Sequence, residues 1–297
     1  YLAARLGRAW QDVRLVSAHG VACNVLGHIL SAPETFFLTG GSVTPRAIVD
    51  CLVAAGLGET EVTVAENLSY PDERIVTDAA CKLAGRDFAS LSAVWVRAGF
   101  FRQTLCSGGL ADSAFVRGEV PMTKQEVRAA AIAKLRLRET DVVYDVGAGT
   151  GSVGIELALL SPMARVYAVE CNAQACALIR VNREKLGAYN LTLVEGAAPQ
   201  ALKALPAPDC AFIGGSRGNL REILALLRAK NSAVRVVVSA IALETLSGAL
   251  DALKELNFEG IEVTQLAVSR AREVGSYHMM MGQNPIFLLS AGGDGAR

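Results

Sequence analysis

Between residues 121 and 290, short and almost continuously apolar runs alternate with stretches of helical period, and this alternation constrains the fold most. The runs lie at 142–146, 165–169, 191–194, 210–213, 234–239, 262–267 and 286–289, with helical patterns at 154–160, 174–186, 199–205, 220–227 and 244–256. Strands that are apolar on both faces, each followed by a helix, predict a mostly parallel α/β sheet covered on both sides. The last two runs have no helix between them, so the seventh strand is expected to enter antiparallel. The sixth then runs parallel, and residues 270–284 leave it as a loop on the carboxyl side of the sheet. A helix over 124–135 precedes the first strand, with Thr123 as N-cap and Glu126 completing a capping box.

The first 98 residues carry a second, less regular α/β pattern. Strands are expected at 13–17, 35–39, 61–65 and 92–97, and helices at 22–30, 45–55 and 75–83, with Thr44 capping and Pro45 in the first turn. Residues 99–120 have no period and contain Ser107-Gly108-Gly109, which predicts a linker. The division is therefore 1–98, a linker at 99–118, a main domain at 119–290 and a glycine-rich tail at 291–297. Two domains suit 297 residues at roughly 100–200 residues each.

Composition narrows the function. The chain has 29 Lys+Arg, 29 Asp+Glu and 52% hydrophobic residues, which excludes disorder and argues against a nucleic-acid backbone as partner. No apolar run reaches the roughly 18–20 residues of a membrane span, and no secretory signal is visible. The seven cysteines form neither a CxxC pair nor a cluster with histidine, so no metal site is expected and the reading is reduced thiols in a cytoplasmic protein. The chain starts at Tyr1 without a methionine, in mid-pattern, and reads as truncated.

Chemistry concentrates in Asp145-Val146-Gly147-Ala148-Gly149-Thr150-Gly151-Ser152 at the end of the first strand of the main domain. Glycine at positions one, three and five lets the backbone turn tightly and approach a ligand. A dinucleotide fingerprint wants glycine at position six, where Ser152 stands. The spacing instead resembles the first motif of class I S-adenosylmethionine (SAM) methyltransferases. Glu170 ends the second strand, where an acid can accept bonds from ribose hydroxyls. Glu195-Gly196-Ala197-Ala198-Pro199 follows the third, where that family places its adenine contacts, implying Ala197 and Ala198. Asp145 either fixes the loop or receives the ligand's ammonium group; Ala198 offers a backbone N–H or merely starts a helix.

Further stretches sharpen the resemblance. Pro121-Met122-Thr123-Lys124-Gln125-Glu126-Val127-Arg128, the glycine loop, Ile213-Gly214-Gly215-Ser216-Arg217-Gly218-Asn219-Leu220 and Asn284-Pro285-Ile286 together resemble the decarboxylating precorrin C5,15-methyltransferases and stand-alone cobalt-precorrin C15-methyltransferases of cobalamin biosynthesis. That resemblance spans 119–290. It implies SAM as cofactor, a corrinoid substrate, methylation at C15 with loss of the C12 carboxyl, and Thr123 near SAM, where the residues alone suggest a cap. It also implies a homo-oligomer. Val16-Ser17-Ala18-His19-Gly20, Thr44-Pro45 and Glu66–Ile75 resemble the second half of a tetrapyrrole methylase fold, whose family implies C5 methylation. That family's preceding subdomain with a GxGPG-type loop has no counterpart here, so residues 1–98 are not expected to methylate C5 alone. His19 and His28 are expected to pack.

A carboxylate-rich ring needs cations at the cavity mouth. Arg217, in the glycine-rich turn, is the first candidate; Arg270 and Tyr277 are the others, beside Arg272 and His278. Met279-Met280-Met281 lines an apolar wall or belongs to the core. A meso carbon rich in electrons needs no strong base, so no catalytic triad is expected and no catalytic residue is assigned. The competing reading keeps SAM but changes the acceptor to another small molecule or RNA, with 1–98 as a docking module. The absence of an Asn/Asp-Pro-Pro-Tyr-type loop after the fourth strand counts against amino-group methylation.

Overall fold

The computed structural model describes residues 1–21, 23–99, 105 and 107–293, which form two compact units, Tyr1–Thr104 and Leu105–Arg297.

The first unit contains α1 (Leu2–Arg5), β1 (Arg14–Ser17), α2 (Val25–Leu30), β2 (Glu34–Leu38), α3 (Pro45–Ala54), β3 (Glu61–Glu66), β4 (Arg74–Ala79), α4 (Ala80–Leu83) and β5 (Ser92–Arg97). Its sheet runs β1-β2-β5-β3-β4, with β1 and β2 parallel and the other pairs antiparallel. Thr44 caps α3 through the Ala47 N–H at 3.2 Å, with Pro45 in the first turn as its fixed φ requires. The helix expected at 75–83 is corrected. Ile75, Val76 and Thr77 are β-branched and pair with β3, and only the last four residues coil into α4. α2 starts at Val25, because Asn24 accepts from the Gly27 N–H at 3.0 Å; Ala22 lies outside the described residues.

The second unit contains α5 (Gln125–Leu135), β6 (Val142–Val146), α6 (Ser152–Leu160), β7 (Arg165–Glu170), α7 (Ala173–Leu186), β8 (Leu191–Glu195), β9 (Cys210–Ile213), α8 (Leu220–Lys230), β10 (Arg235–Ala240), α9 (Leu243–Glu255), β11 (Glu262–Leu266), β12 (Ser269–Val274), β13 (Tyr277–Gly282) and β14 (Ile286–Ala291). Its seven-stranded sheet runs β11-β14-β10-β9-β6-β7-β8, parallel except for β14, which lies antiparallel between β10 and β11. β6 shows why such strands are apolar throughout. Val143 feeds the core cluster with α5 and α6, while Tyr144 and Val146 feed the one with α8 and α9.

Four further expectations change in this unit. Residues 270–284 are not a loop but largely the hairpin β12–β13, a separate two-stranded ribbon. Met279, Met280 and Met281 are neither core nor wall; they stand exposed on that ribbon. The N-cap of α5 is Lys124 without a side-chain cap bond, and Glu126 turns to Arg270 instead of closing a capping box. The helix expected at 199–205 is one 3-10 turn, Gln200–Leu202. The boundary falls at 104/105: Phe115, inside the expected linker, is buried with Val127 and Ile132. Residues 100–104, 106 and 294–297 of the expected linker and tail lie outside the described residues.

Candidate active site

The strand order reverses between β6 and β9, and loops leaving the carboxyl ends on both sides of this switch point frame a cavity of about 760 Å³. On one side it is lined by Gly147, Ala148, Gly149, Glu170, Cys171, Asn172, Ala197 and Ala198. The other side comprises Gly214–Arg217, Ser239, Ile241, Gln283, Asn284 and Ile286, and residues 119–124 form a wall before α5.

The glycine loop is fixed by its own backbone. Gly147 and Ala148 donate to the Val169 carbonyl at 3.0 and 3.2 Å, which turns the chain out of the sheet. Gly147 has φ +69°, and a Cβ there would stand 2.4 Å from the Gly215 carbonyl oxygen. At Gly149, φ +58°, a Cβ would lie 2.9 Å from the Pro121 carbonyl oxygen. These positions form a cradle that side chains would fill.

Glu170 is anchored there by three N–H donors. Its Oε2 accepts from Gly149 at 2.9 Å, and its Oε1 accepts from Cys171 at 2.8 Å and Asn172 at 2.9 Å. Asp145, Thr150 and Gly151 do not line the cavity. Asp145 is buried beneath the loop, where its Oδ2 accepts from the Gly154 N–H at 2.8 Å and ties β6 to α6. Its Oδ1 has no hydrogen-bond partner among the described residues. Burial pushes its pKa up from 3.8 to about 7; the Gly154 N–H pulls the other way and the charge of Glu170 adds to the rise. A raised folded-state pKa means the folded protein holds the extra proton, so this contribution to stability is full below about pH 3.8 and lost as pH climbs through about 7. Asp145→Asn is expected to flatten melting temperature against pH between 4 and 7; a parallel slope in variant and parent contradicts this.

The wall at 119–124 hangs from a buried ion pair. Arg128 and Glu156 are both 0% exposed, with Nε and Oε2 2.7 Å apart. Arg128 Nη1 donates to the Thr123 carbonyl at 2.6 Å, Nη2 donates to the Leu110 carbonyl, and Glu156 accepts from the Gly109 and Leu110 amides.

Of the residues proposed from sequence, Thr123, Gly147, Ala148, Gly149, Glu170, Ala197, Ala198 and Arg217 meet in the cavity wall. Arg217 is exposed, adopts φ +51° and makes no ion pair among the described residues. Arg270 and Tyr277 are not among the lining residues. Arg270 is engaged by Glu126 and Asp112, and Tyr277 sits at the ribbon's tip, 75% exposed. Lys124, Ser239, Ile241 and Gln283 line the cavity without having been singled out as binding residues. Lys124 and Asn284 belong to the sequence motifs Pro121–Arg128 and Asn284–Ile286, the signal that points to them. Among the described residues, no group of three or more His, Cys, Asp and Glu is placed to hold a metal, and no helix is long and apolar enough to cross a membrane.

Residues 113–291 match the family model described as a precorrin methyltransferase domain. A probable cobalt-precorrin-6B C(15)-methyltransferase (decarboxylating) of Pyrobaculum calidifontis is 42% identical over 186 residues, covering 62% of this chain and 95% of that protein. A precorrin-6Y C(5,15)-methyltransferase [decarboxylating] of Sinorhizobium sp is 32% identical over 286 residues, 95% of this chain and 68% of that protein. Among solved structures, a precorrin-6y C5,15-methyltransferase from Geobacter metallireducens superposes with a TM-score of 0.60 at 38% identity, covering 64% of this chain and all of that one.

Proposed function

Because this chain belongs to the precorrin methyltransferase family, we propose that its second unit methylates C15 of a corrinoid and removes the carboxyl of the C12 acetate, with SAM as donor. The observation that carries this is the cavity at the switch point, with its glycine cradle on one side and an anchored acid at the end of β7. The residues fit SAM. Gly147 and Gly149 admit a close approach, Glu170 takes the ribose, Ala197 and Ala198 flank the adenine, and Thr123 and Lys124 close the wall. Three of the roughly four acceptor directions on the Glu170 carboxylate are already used by N–H groups, so one ribose hydroxyl rather than two has a ready place.

SAM supplies an electrophilic methyl group. The chain's task is then to hold the ring carbon in line with it, a positional contribution, and among the described residues no histidine lines the cavity to act as base. The electrons released with carbon dioxide pass into the conjugated ring. Arg217 is proposed to meet peripheral carboxylates. The proposed partner is a corrinoid rather than nucleic acid, and the proposed assembly is a homo-oligomer, on which the exposed Tyr277 and Met279–Met281 bear.

Calorimetry with SAM and mass analysis after incubation with a precorrin test the reading. The expected product has gained one methyl and lost one carboxyl; retention of every carboxyl refutes the decarboxylation. Glu170→Ala is expected to weaken SAM binding by about 1–3 kcal/mol, and unchanged affinity removes Glu170 from the site.

A further inference from the structure

The cavity mouth has two walls drawn from distant parts of the chain. One is the segment before α5, with Thr123 and Lys124; the other is Gln283 and Asn284, where the ribbon β12–β13 returns to the sheet. The Gln283 N–H donates to the Val268 carbonyl at 2.9 Å, so the ribbon's base and the second wall are one piece. Arg270 stands on that base, in register with Met281. Its guanidinium grips Glu126 with two bonds, Nη2 to Oε2 at 2.6 Å and Nε to Oε1 at 3.1 Å, and Glu126 lies two residues past Lys124. Its Nη1 reaches Asp112 at 3.2 Å; the other oxygen of Asp112 lies 3.4 Å from Arg128, which holds the Thr123 carbonyl.

We infer that Arg270 is a positioning residue, a clasp that fixes the two walls of the cavity mouth against each other through Glu126 and Asp112. This rests on the cavity being the catalytic site proposed above. The chain of contacts runs from the ribbon through Asp112 to a fully buried arginine, so the clasp is seated on a rigid element. A paired, planar fork gives it direction as well as charge. The role differs from substrate contact: the side chain expected from the sequence to meet a carboxylate-rich ring is engaged by two carboxylates of the protein.

Arg270→Gln, Glu126→Gln, the double variant and Arg270→Lys separate these roles on the full chain. Hydrogen exchange is read at the Gln283 amide, which closes the ribbon base, and at the Arg128 amide, bonded to the Lys124 carbonyl at 2.8 Å. Without any ligand, Arg270→Gln is expected to speed exchange at both by about 3- to 10-fold, Glu126→Gln by a similar factor, and the double variant by no more than the larger single change. Arg270→Lys keeps part of the protection. With SAM and a precorrin, KM for the precorrin rises by about 3- to 10-fold in either single variant while kcat moves less than about 2-fold. Unchanged exchange in Arg270→Gln overturns the clasp. So does a KM rise in Arg270→Gln that Glu126→Gln does not share, since Arg270 then touches substrate itself. If exchange rises as expected but the parent neither binds SAM nor transforms the precorrin, the clasp stands and the proposed site falls.

Discussion

Replacing Arg128 with Met is expected to destabilise the second unit by about 3–5 kcal/mol in urea unfolding, because it strands a buried carboxylate. Glu156 would keep its Gly109 and Leu110 amide donors and lose its only charged partner among the described residues, in a place with no access to water. The Thr123 and Leu110 carbonyls would lose their donor in the same step, and the guanidinium would leave the Phe115 ring it covers at 4.8 Å. The argument concerns the unpaired charge more than the pair's own worth. The double variant Arg128→Met/Glu156→Leu should therefore lose less than the two single losses summed. A single-variant loss below about 1 kcal/mol would show that water or a neighbour rescues Glu156, against the burial seen here.

Gly147→Ala is expected to lower SAM affinity by more than about 100-fold, roughly 2.7 kcal/mol. Two costs coincide. The residue needs φ +69°, which an L side chain adopts at about 1–3 kcal/mol of strain. The new Cβ would also meet Gly215 at 2.4 Å from its carbonyl oxygen, 2.7 Å from its nitrogen and 2.8 Å from its Cα. That neighbour cannot yield cheaply, since the Gly214 and Gly215 amides both donate to Val146. The loop after β9 must therefore move, taking Arg217 with it. Gly260→Ala is the control: φ is +62°, but nothing lies within 4 Å of the added carbon. It should cost stability without touching SAM binding. Equal calorimetric affinities for parent and Gly147→Ala would refute the cradle.

How much of this was legible follows from how local each signal is. β6 and its glycine loop are written in consecutive residues, and the antiparallel entry of β14 follows from a missing helix. Ile75–Leu83 carries an apolar spacing that suits a helix, while the pairing of β4 with β3 is visible only in three dimensions. The ribbon leaves no periodic signal, because its residues face water on both sides and show no alternation against a core. Arg128 reads in sequence as one more helix arginine; its burial depends on Glu156, 28 residues on. The second half of the cavity draws Ser239, Ile241, Gln283 and Asn284 from segments that only the inserted β14 brings together.

That inserted strand also sets an order in time. β10 keeps an open apolar edge, and β11 has no strand partner in the sheet, until residues 286–291 arrive. At translation rates of about 5–20 residues per second, the roughly 150 residues from the start of β6 to the end of β14 take about 7–30 s to emerge. Within that interval the glycine loop emerges about 130 residues before Gln283 and Asn284. A nascent chain therefore exposes a sheet edge to chaperones before the cavity at the switch point has its second wall.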